Sequence, residues 1–314
     1  MEDSTIKTLA FFEIFKRPLR IEEIWHYLYG PGGSRAGFDE VVNRLIGKKI
    51  VIESNGCFAL TGEIMKRDQL KNLRKIQSDI NDGFRKKVKK YHFIFRLCPF
   101  IKMVAVCNSP AFGAGDKNSD IDLFIVTKEG RIFTARTMVT LLTHLFGVRR
   151  HGNKVAGRFC LSFFINDKKL NLSGIKNKKD VYLDFWTASL KPVFGMDTYH
   201  DFCKENIWVK DFFTNWEPEK SLYTGINKGD RQYAVSRLIE KILQSRLGNL
   251  LESYLRHIHQ KRHHAKLSKL GDNASVTVND SMLKYHNWDR RKEFQEKWEK
   301  RISGFCKGSG LMSR

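Results

Sequence analysis

Apolar positions recur at helical spacing through the first part of the chain. Ile6, Leu9, Ala10, Phe12 and Ile14 continue to Phe15, and Ser4 stands where it can cap that helix. Lys16-Arg17-Pro18-Leu19 breaks it. Ile24, Trp25 and Leu28 mark the inner face of a second helix, from residue 21 to about 28. Gly30-Pro31-Gly32-Gly33-Ser34 reads as a loop, and Phe38, Val41, Val42, Leu45 and Ile46 line a third helix over 38–48. Short apolar runs at 50–53 and 57–60 then flank Ser54-Asn55-Gly56, and Asn-Gly is the favoured two-residue hairpin turn.

From about 65 to 96 the spacing predicts one basic connecting helix, with Leu70, Leu73, Ile76, Ile80, Phe84 and Val88 on its packed face. The period then shortens. Residues 103–107 and 123–126 read as buried strands, separated by a loop with two glycines, Gly113 and Gly115, that let the backbone approach a ligand closely. A helix over 131–146 places Phe133, Ala135, Met138, Leu141, Leu142 and Leu145 inward, with Arg131 and Arg136 near the mouth of the strands. A basic loop (Arg149, Arg150, His151, Lys154) leads to a third apolar strand over 158–165 and a helix over 180–190. Beyond 197 the chain reads as helical: a long stretch over 230–264 with Leu238, Ile242, Leu247, Leu250 and Leu255 among its apolar positions, then a helix over 289–305. The expected division is 1–64, a connecting helix over 65–99, a core over 100–195, a helical region over 196–306 and a flexible tail over 307–314.

Candidate chemistry sits at the second core strand. Residues alternate faces along a strand, so Asp120 and Asp122 project together while Ile121 and Leu123 face the other way. Two like charges so close repel unless a cation lies between them. Oxygen ligands of this kind suit Mg²⁺, which takes one or two carboxylates and completes its shell with substrate phosphates.

Val104-Ala105-Val106-Cys107-Asn108-Ser109, followed by Ser119-Asp120-Ile121-Asp122-Leu123, resembles the signature of the nucleotidyltransferase superfamily, the group with a DNA polymerase beta-like catalytic core. That signature is a strand, a Gly-Ser turn, a spacer and a second strand reading Asp-apolar-Asp. The resemblance implies an α+β fold: a small mixed β-sheet core flanked here by an N-terminal domain and C-terminal helices. It implies that Asp120 and Asp122 bind Mg²⁺ and carry catalysis, with an NTP as substrate. Asn108, Ser109, Lys117 and Ser119 would then contact its phosphates. Three helices followed by a hairpin resemble the winged helix-turn-helix domain, whose third helix enters the DNA major groove; here that helix would carry Arg44 and Lys48.

Two positions depart from the family pattern. Asn108 stands where the family has Gly; Asn tolerates left-handed geometry, but its side chain adds bulk at the turn. Active members place a third carboxylate on the later strand, where it serves the metal and often acts as general base. In this chain that strand offers Cys160 and Ser162, with Asp167 beyond it and Asp184 on the following helix. Two readings therefore stand: a Mg²⁺-dependent transfer of NMP from NTP to RNA, a protein or a small molecule, or a degenerate nucleotide-binding regulator or DNA-binding winged-helix protein.

Charge sharpens the choice of partner. A formal net charge of +22 over 314 residues favours polyanions such as nucleic acid or nucleotide phosphates. The six cysteines are scattered without a CxxC pair, and no secretory signal or membrane-spanning run is read, which is the expectation for a cytoplasmic protein with reduced thiols. His257, His259, His263 and His264 lie among cations, which argues for a basic helix end and against a zinc site.

Overall fold

The computed structural model describes residues 1–62, 64–220, 232–270, 275–286 and 289–306; the tail 307–314, read above as flexible, lies outside them. Three helices open the chain, α1 (Glu2–Glu13), α2 (Ile21–His26) and α3 (Arg35–Gly47), followed by a hairpin of β1 (Val51–Ser54) and β2 (Cys57–Leu60). Asn55 and Gly56 both take positive φ, as the two-residue turn requires. The expected cap at Ser4 is not formed: α1 begins two residues earlier, and the buried Ser4 hydroxyl donates to the Pro31 carbonyl. Ser34 caps α3 instead, accepting from the Gly37 N–H.

The basic segment forms α4 (Leu70–Tyr91) and the short α5 (Phe93–Leu97). Lys71, Lys75, Arg85, Lys86, Lys89 and Lys90 are exposed, and so is Ile76, which the spacing had turned inward. The core follows as β3 (Ile101–Val106), α6 (Asn108–Ala111), β4 (Ile121–Thr127), α7 (Ile132–Leu145), β5 (Phe159–Asn166), α8 (Val181–Ala188), β6 (Lys191–Phe194) and α9 (Met196–Glu205). The remainder is α10 (Ala234–Leu243), α11 (Arg246–Leu270), β7 (Ser275–Val278), β8 (Met282–His286) and α12 (Arg291–Cys306). Among the described residues no helix is long and apolar enough to cross a membrane.

Six strands form one mixed sheet in the order β6-β3-β4-β5-β8-β7. Only β4 and β5 run parallel. This is an α+β fold with a larger sheet than the three strands expected. The region read as helical beyond 196 supplies β7 and β8, and its long apolar stretch is two helices, not one. Gly248 sits at that break, where a Cβ would lie 1.7 Å from the Leu243 carbonyl oxygen. Leu238, Ile242, Leu247 and Leu250 are exposed, as are Leu141 and Leu145 of α7, so those apolar positions do not face the core as expected.

Period-two alternation divides the sheet between two hydrophobic layers. Met103, Ala105, Phe124, Val126, Phe163 and Ile165 pack with the N-terminal helices, α8 and α12. Val104, Val106, Leu123, Ile125, Phe159 and Phe164 pack with α5 and α7. One buried cluster thus joins Phe11 and Phe12 of α1 to the sheet, with Phe11 stacked on Phe185 of α8 at 3.8 Å. The two ends of the described chain also meet: Trp298 Nε1 donates to the Lys7 carbonyl at 2.8 Å, and the Arg301 guanidinium pairs with Glu13.

Candidate metal and phosphate site

Strand direction collects the chemistry at one end of the sheet. β3 ends where β4 begins, because the two are antiparallel; β5 begins beside β4, because those two are parallel. The Cys107 N–H donates to the Asp122 carbonyl at 3.0 Å, fixing the turn against the Asp strand. A bulge between the Asp122–Cys160 and Phe124–Phe163 pairs adds one residue to β5. It keeps Cys160 level with Asp122 while Phe163 remains in the core layer of Phe124.

Asn108 takes φ 57°, the left-handed conformation that glycine or asparagine adopts most readily. Its side chain is bonded through both the amide oxygen and the amide nitrogen. Oδ1 accepts from the Tyr182 hydroxyl at 3.0 Å and from Trp186 Nε1 at 2.9 Å, and the amide bonds the Asp122 carboxylate. The added bulk therefore locks the turn to α8. Burial and the neighbouring Asp120 charge push the Asp122 carboxyl up to about 7, against the opposing bonds from Asn108 and Cys160 and the charge of Arg150.

Asp120 Oδ2 pairs with Arg150 Nη1 at 2.6 Å, and the same guanidinium nitrogen lies 3.8 Å from the Cys160 sulfur. Asp120, Asp122 and Cys160 bring one ligand atom each within 4.8 Å of one another. Ser162 bonds the Cys160 sulfur, and burial beside two carboxylates raises the Cys160 thiol above its ordinary range. The third position is a thiol: Asp167 accepts from the Glu129 N–H at the other end of β5, and Asp184 is buried against Lys176 and Tyr29.

The remaining expected site residues divide. Ser109 lines the cleft beside Asp122. Ser119 closes its own loop, its hydroxyl accepting from the Asp116 N–H, and Lys117 is exposed on that loop. The spacer glycines accommodate protein neighbours, not a ligand. A Cβ on Gly113 would meet the Arg17 guanidinium at 2.5 Å, and one on Gly115 the Phe84 ring at 2.6 Å. Arg131 and Arg136 are not at the mouth. Arg131 bonds Asn249 beyond the far end of β4, and Arg136 bonds the Leu161 carbonyl and covers the Tyr285 ring. His259 lies between Thr137 and Tyr285 and is held neutral, its pKa lowered to about 4 by burial and the cations Arg136 and Arg262; the side chains of His263 and His264 fall outside the described residues.

The cleft itself has a volume of about 250 Å³ and contains residues that sequence reasoning missed. Its floor is Asn108, Ser109 and Asp122; Lys284, Arg290 and Arg291 enter from the C-terminal region. Tyr182 and Phe294 stack at 4.7 Å on one wall, and Phe15 lies 5.4 Å from Phe294. A larger cavity of about 420 Å³ lies on the other side of α6 against α4, lined in part by Arg17, Glu23 and Arg74. It is lined by neither Asp120 nor Asp122, whereas the smaller cleft is lined by Asp122 and the Asn108-Ser109 turn, so the smaller cleft is the candidate site. Comparison with protein-family models, with curated proteins and with solved structures finds no match in any of the three.

Two carboxylates and a thiol thus form a group that could hold a metal ion, and one of them, Asp122, also lines the cleft.

Proposed function

We propose that this chain binds a nucleoside triphosphate as its Mg²⁺ complex and transfers the nucleoside monophosphate to an acceptor, releasing pyrophosphate. The observation that supports this reading is the convergence of Asp120 and Asp122 with the left-handed Asn108 turn at one end of the sheet. In it, Asp120 and Asp122 hold the cation, and Ser109 meets the phosphates. Lys284, Arg290 and Arg291 line the cleft as ion-paired cations, held by Asp289, Glu293 and Asp180, and the Tyr182–Phe294 wall offers a flat apolar face to a base. The cation, when bound, neutralises charge that develops on the phosphoryl group during in-line attack. Cys160 is too weak an acid to serve as a general base near neutral pH, so the acceptor proton passes to solvent. The exposed cations of α4 favour RNA or another nucleic acid as acceptor.

A second reading has its own observation. Cys160 at the place of the third acid favours a nucleotide-binding regulator that performs no transfer. The winged-helix reading of residues 1–60 is weaker as a DNA contact, because Arg44 and Lys48 both pair with Glu2.

The test is incubation with each labelled NTP and Mg²⁺, with total RNA or lysate as acceptor, for wild type, Asp122→Asn and Cys160→Asp. Transfer by wild type, lost in Asp122→Asn, is expected. Transfer only in Cys160→Asp would favour the regulator. No transfer in any of them, with no calorimetric binding of NTP·Mg²⁺, would sink both.

A further inference from the structure

The donor set of the cluster bears on which cation it prefers before a nucleotide arrives. Mg²⁺ is a hard ion that selects oxygen and sheds water reluctantly. A thiolate is bound by softer ions, with Zn–S near 2.3 Å and Zn–O near 2.0–2.2 Å. The geometry points to a thiophilic divalent cation, Zn²⁺ or its analogue Co²⁺, held by Asp120, Asp122 and Cys160 in the nucleotide-free protein. This inference rests on the same carboxylates as the function proposed above, but not on nucleotide binding.

Three observations carry it. The β5 bulge brings the Cys160 sulfur to the carboxylates, with all three ligand atoms within 4.8 Å. Donors around a tetrahedral zinc lie roughly 3.6 Å apart, so side-chain rotation of about an ångström closes the site. Secondly, a positive charge already bridges the oxygen and the sulfur: Arg150 reaches Asp120 at 2.6 Å and Cys160 at 3.8 Å. The Arg150 side chain is 47% exposed, so it can swing into solvent when a metal takes its place. Thirdly, the ligands are oriented from behind, Asp122 by Asn108 and Cys160 by Ser162. On binding, the Cys160 S–H bond breaks, its proton goes to solvent, and the sulfur electron pair enters the metal bond. Three protein ligands leave a fourth position for water or a phosphate oxygen, the pattern of reactive zinc centres.

Metal-free full-length protein is titrated with Co²⁺ while the near-ultraviolet thiolate-to-cobalt charge-transfer band is followed. The band is expected to saturate at one equivalent, to vanish in Cys160→Ser and to persist in Cys57→Ser. Stoichiometric Zn²⁺ should bleach it, whereas a thousandfold excess of Mg²⁺ should not. Zn²⁺ affinity should fall about 100-fold or more in Cys160→Ser. A wild type without the band, or a band that survives Cys160→Ser, overturns the inference. Should Cys160→Ser not fold, iodoacetamide labelling of wild type decides: Zn²⁺ should protect Cys160, and unchanged labelling overturns the proposal. NTP·Mg²⁺ binding without the cobalt band would defeat this inference and leave the proposed function standing; the band without nucleotide binding would do the reverse.

Discussion

Asp122→Asn separates the electrostatic cost of the site from its chemistry. The Asp122 carboxyl titrates near 7 in the folded chain against 3.8 for the ordinary group, so the folded state holds its proton more tightly than the unfolded state. Stability from this group is fully present below about pH 4 and is lost as pH rises through 7. At roughly 1.4 kcal/mol per tenfold, the loss reaches about 2 kcal/mol at pH 5 and at most about 4 kcal/mol above pH 7. Asparagine has nearly the same shape and no charge, so its advantage over wild type should widen by up to about 3 kcal/mol between pH 5 and pH 8. For a chain of this size that is roughly 5 °C in the melting midpoint. Melts of both proteins at the two pH values, without and with a saturating divalent cation, provide the assay. The cation should raise the wild-type midpoint most at pH 8, where it displaces no proton from Asp122, and should do less for Asp122→Asn. A difference between the proteins that does not change with pH, or a variant less stable than wild type at pH 8, would refute the reasoning.

Two further predictions concern packing around the site. Asn108→Gly keeps the left-handed turn but strips an acceptor from Tyr182 and Trp186, and should cost about 1–3 kcal/mol; Asn108→Ala adds backbone strain and should cost about 1 kcal/mol more, the order being read from melting midpoints. Glu252 is buried and accepts from the Phe133 and Thr134 N–H groups and the Thr134 hydroxyl at the start of α7, so Glu252→Ala should cost about 2–4 kcal/mol in a denaturant titration, with Glu252→Gln recovering part of it.

How much of this was legible in the sequence follows from how local each feature is. Alternation along β4 placed Asp120 and Asp122 on one face, and the tolerance of Asn for positive φ anticipated the Asn108 turn. Alternation along β5 left Cys160 and Ser162 as alternatives for the third position, and it is the bulge that sets Cys160 level with Asp122. Arg150 was not anticipated, since its partner lies 30 positions away. Parallel pairing of β4 and β5 nevertheless carries the signal: a chain returning through α7 must enter β5 at the end where β4 begins, so the loop before β5 falls beside Asp120. The same reasoning puts Arg131, just after β4, at the opposite end. The strands β7 and β8 were missed because runs of four and five residues alternate too briefly to stand out from helical spacing. The cleft residues Lys284, Arg290, Arg291 and Phe294 were missed with them, since only that added hairpin brings their segment to the site. The break before α11 was hidden because a lone glycine inside an apolar period, as at Gly248, reads as a tolerated interruption.

The meeting of α1 with α12 has a consequence for synthesis. Lys7 and Trp298 are 291 positions apart, so at about 5–20 residues per second the first helix leaves the ribosome roughly 15–60 s before its partner. Throughout that interval the side of α1 that later meets α12 has no partner, while its faces toward the sheet and α8 are covered earlier. Phe11 and Phe12 gain Phe112 and Phe185 once the sheet and α8 are made, whereas Phe15 and the Lys7 carbonyl wait for Phe294 and Trp298 of the last described helix, so this fold closes only after α12 has been synthesised.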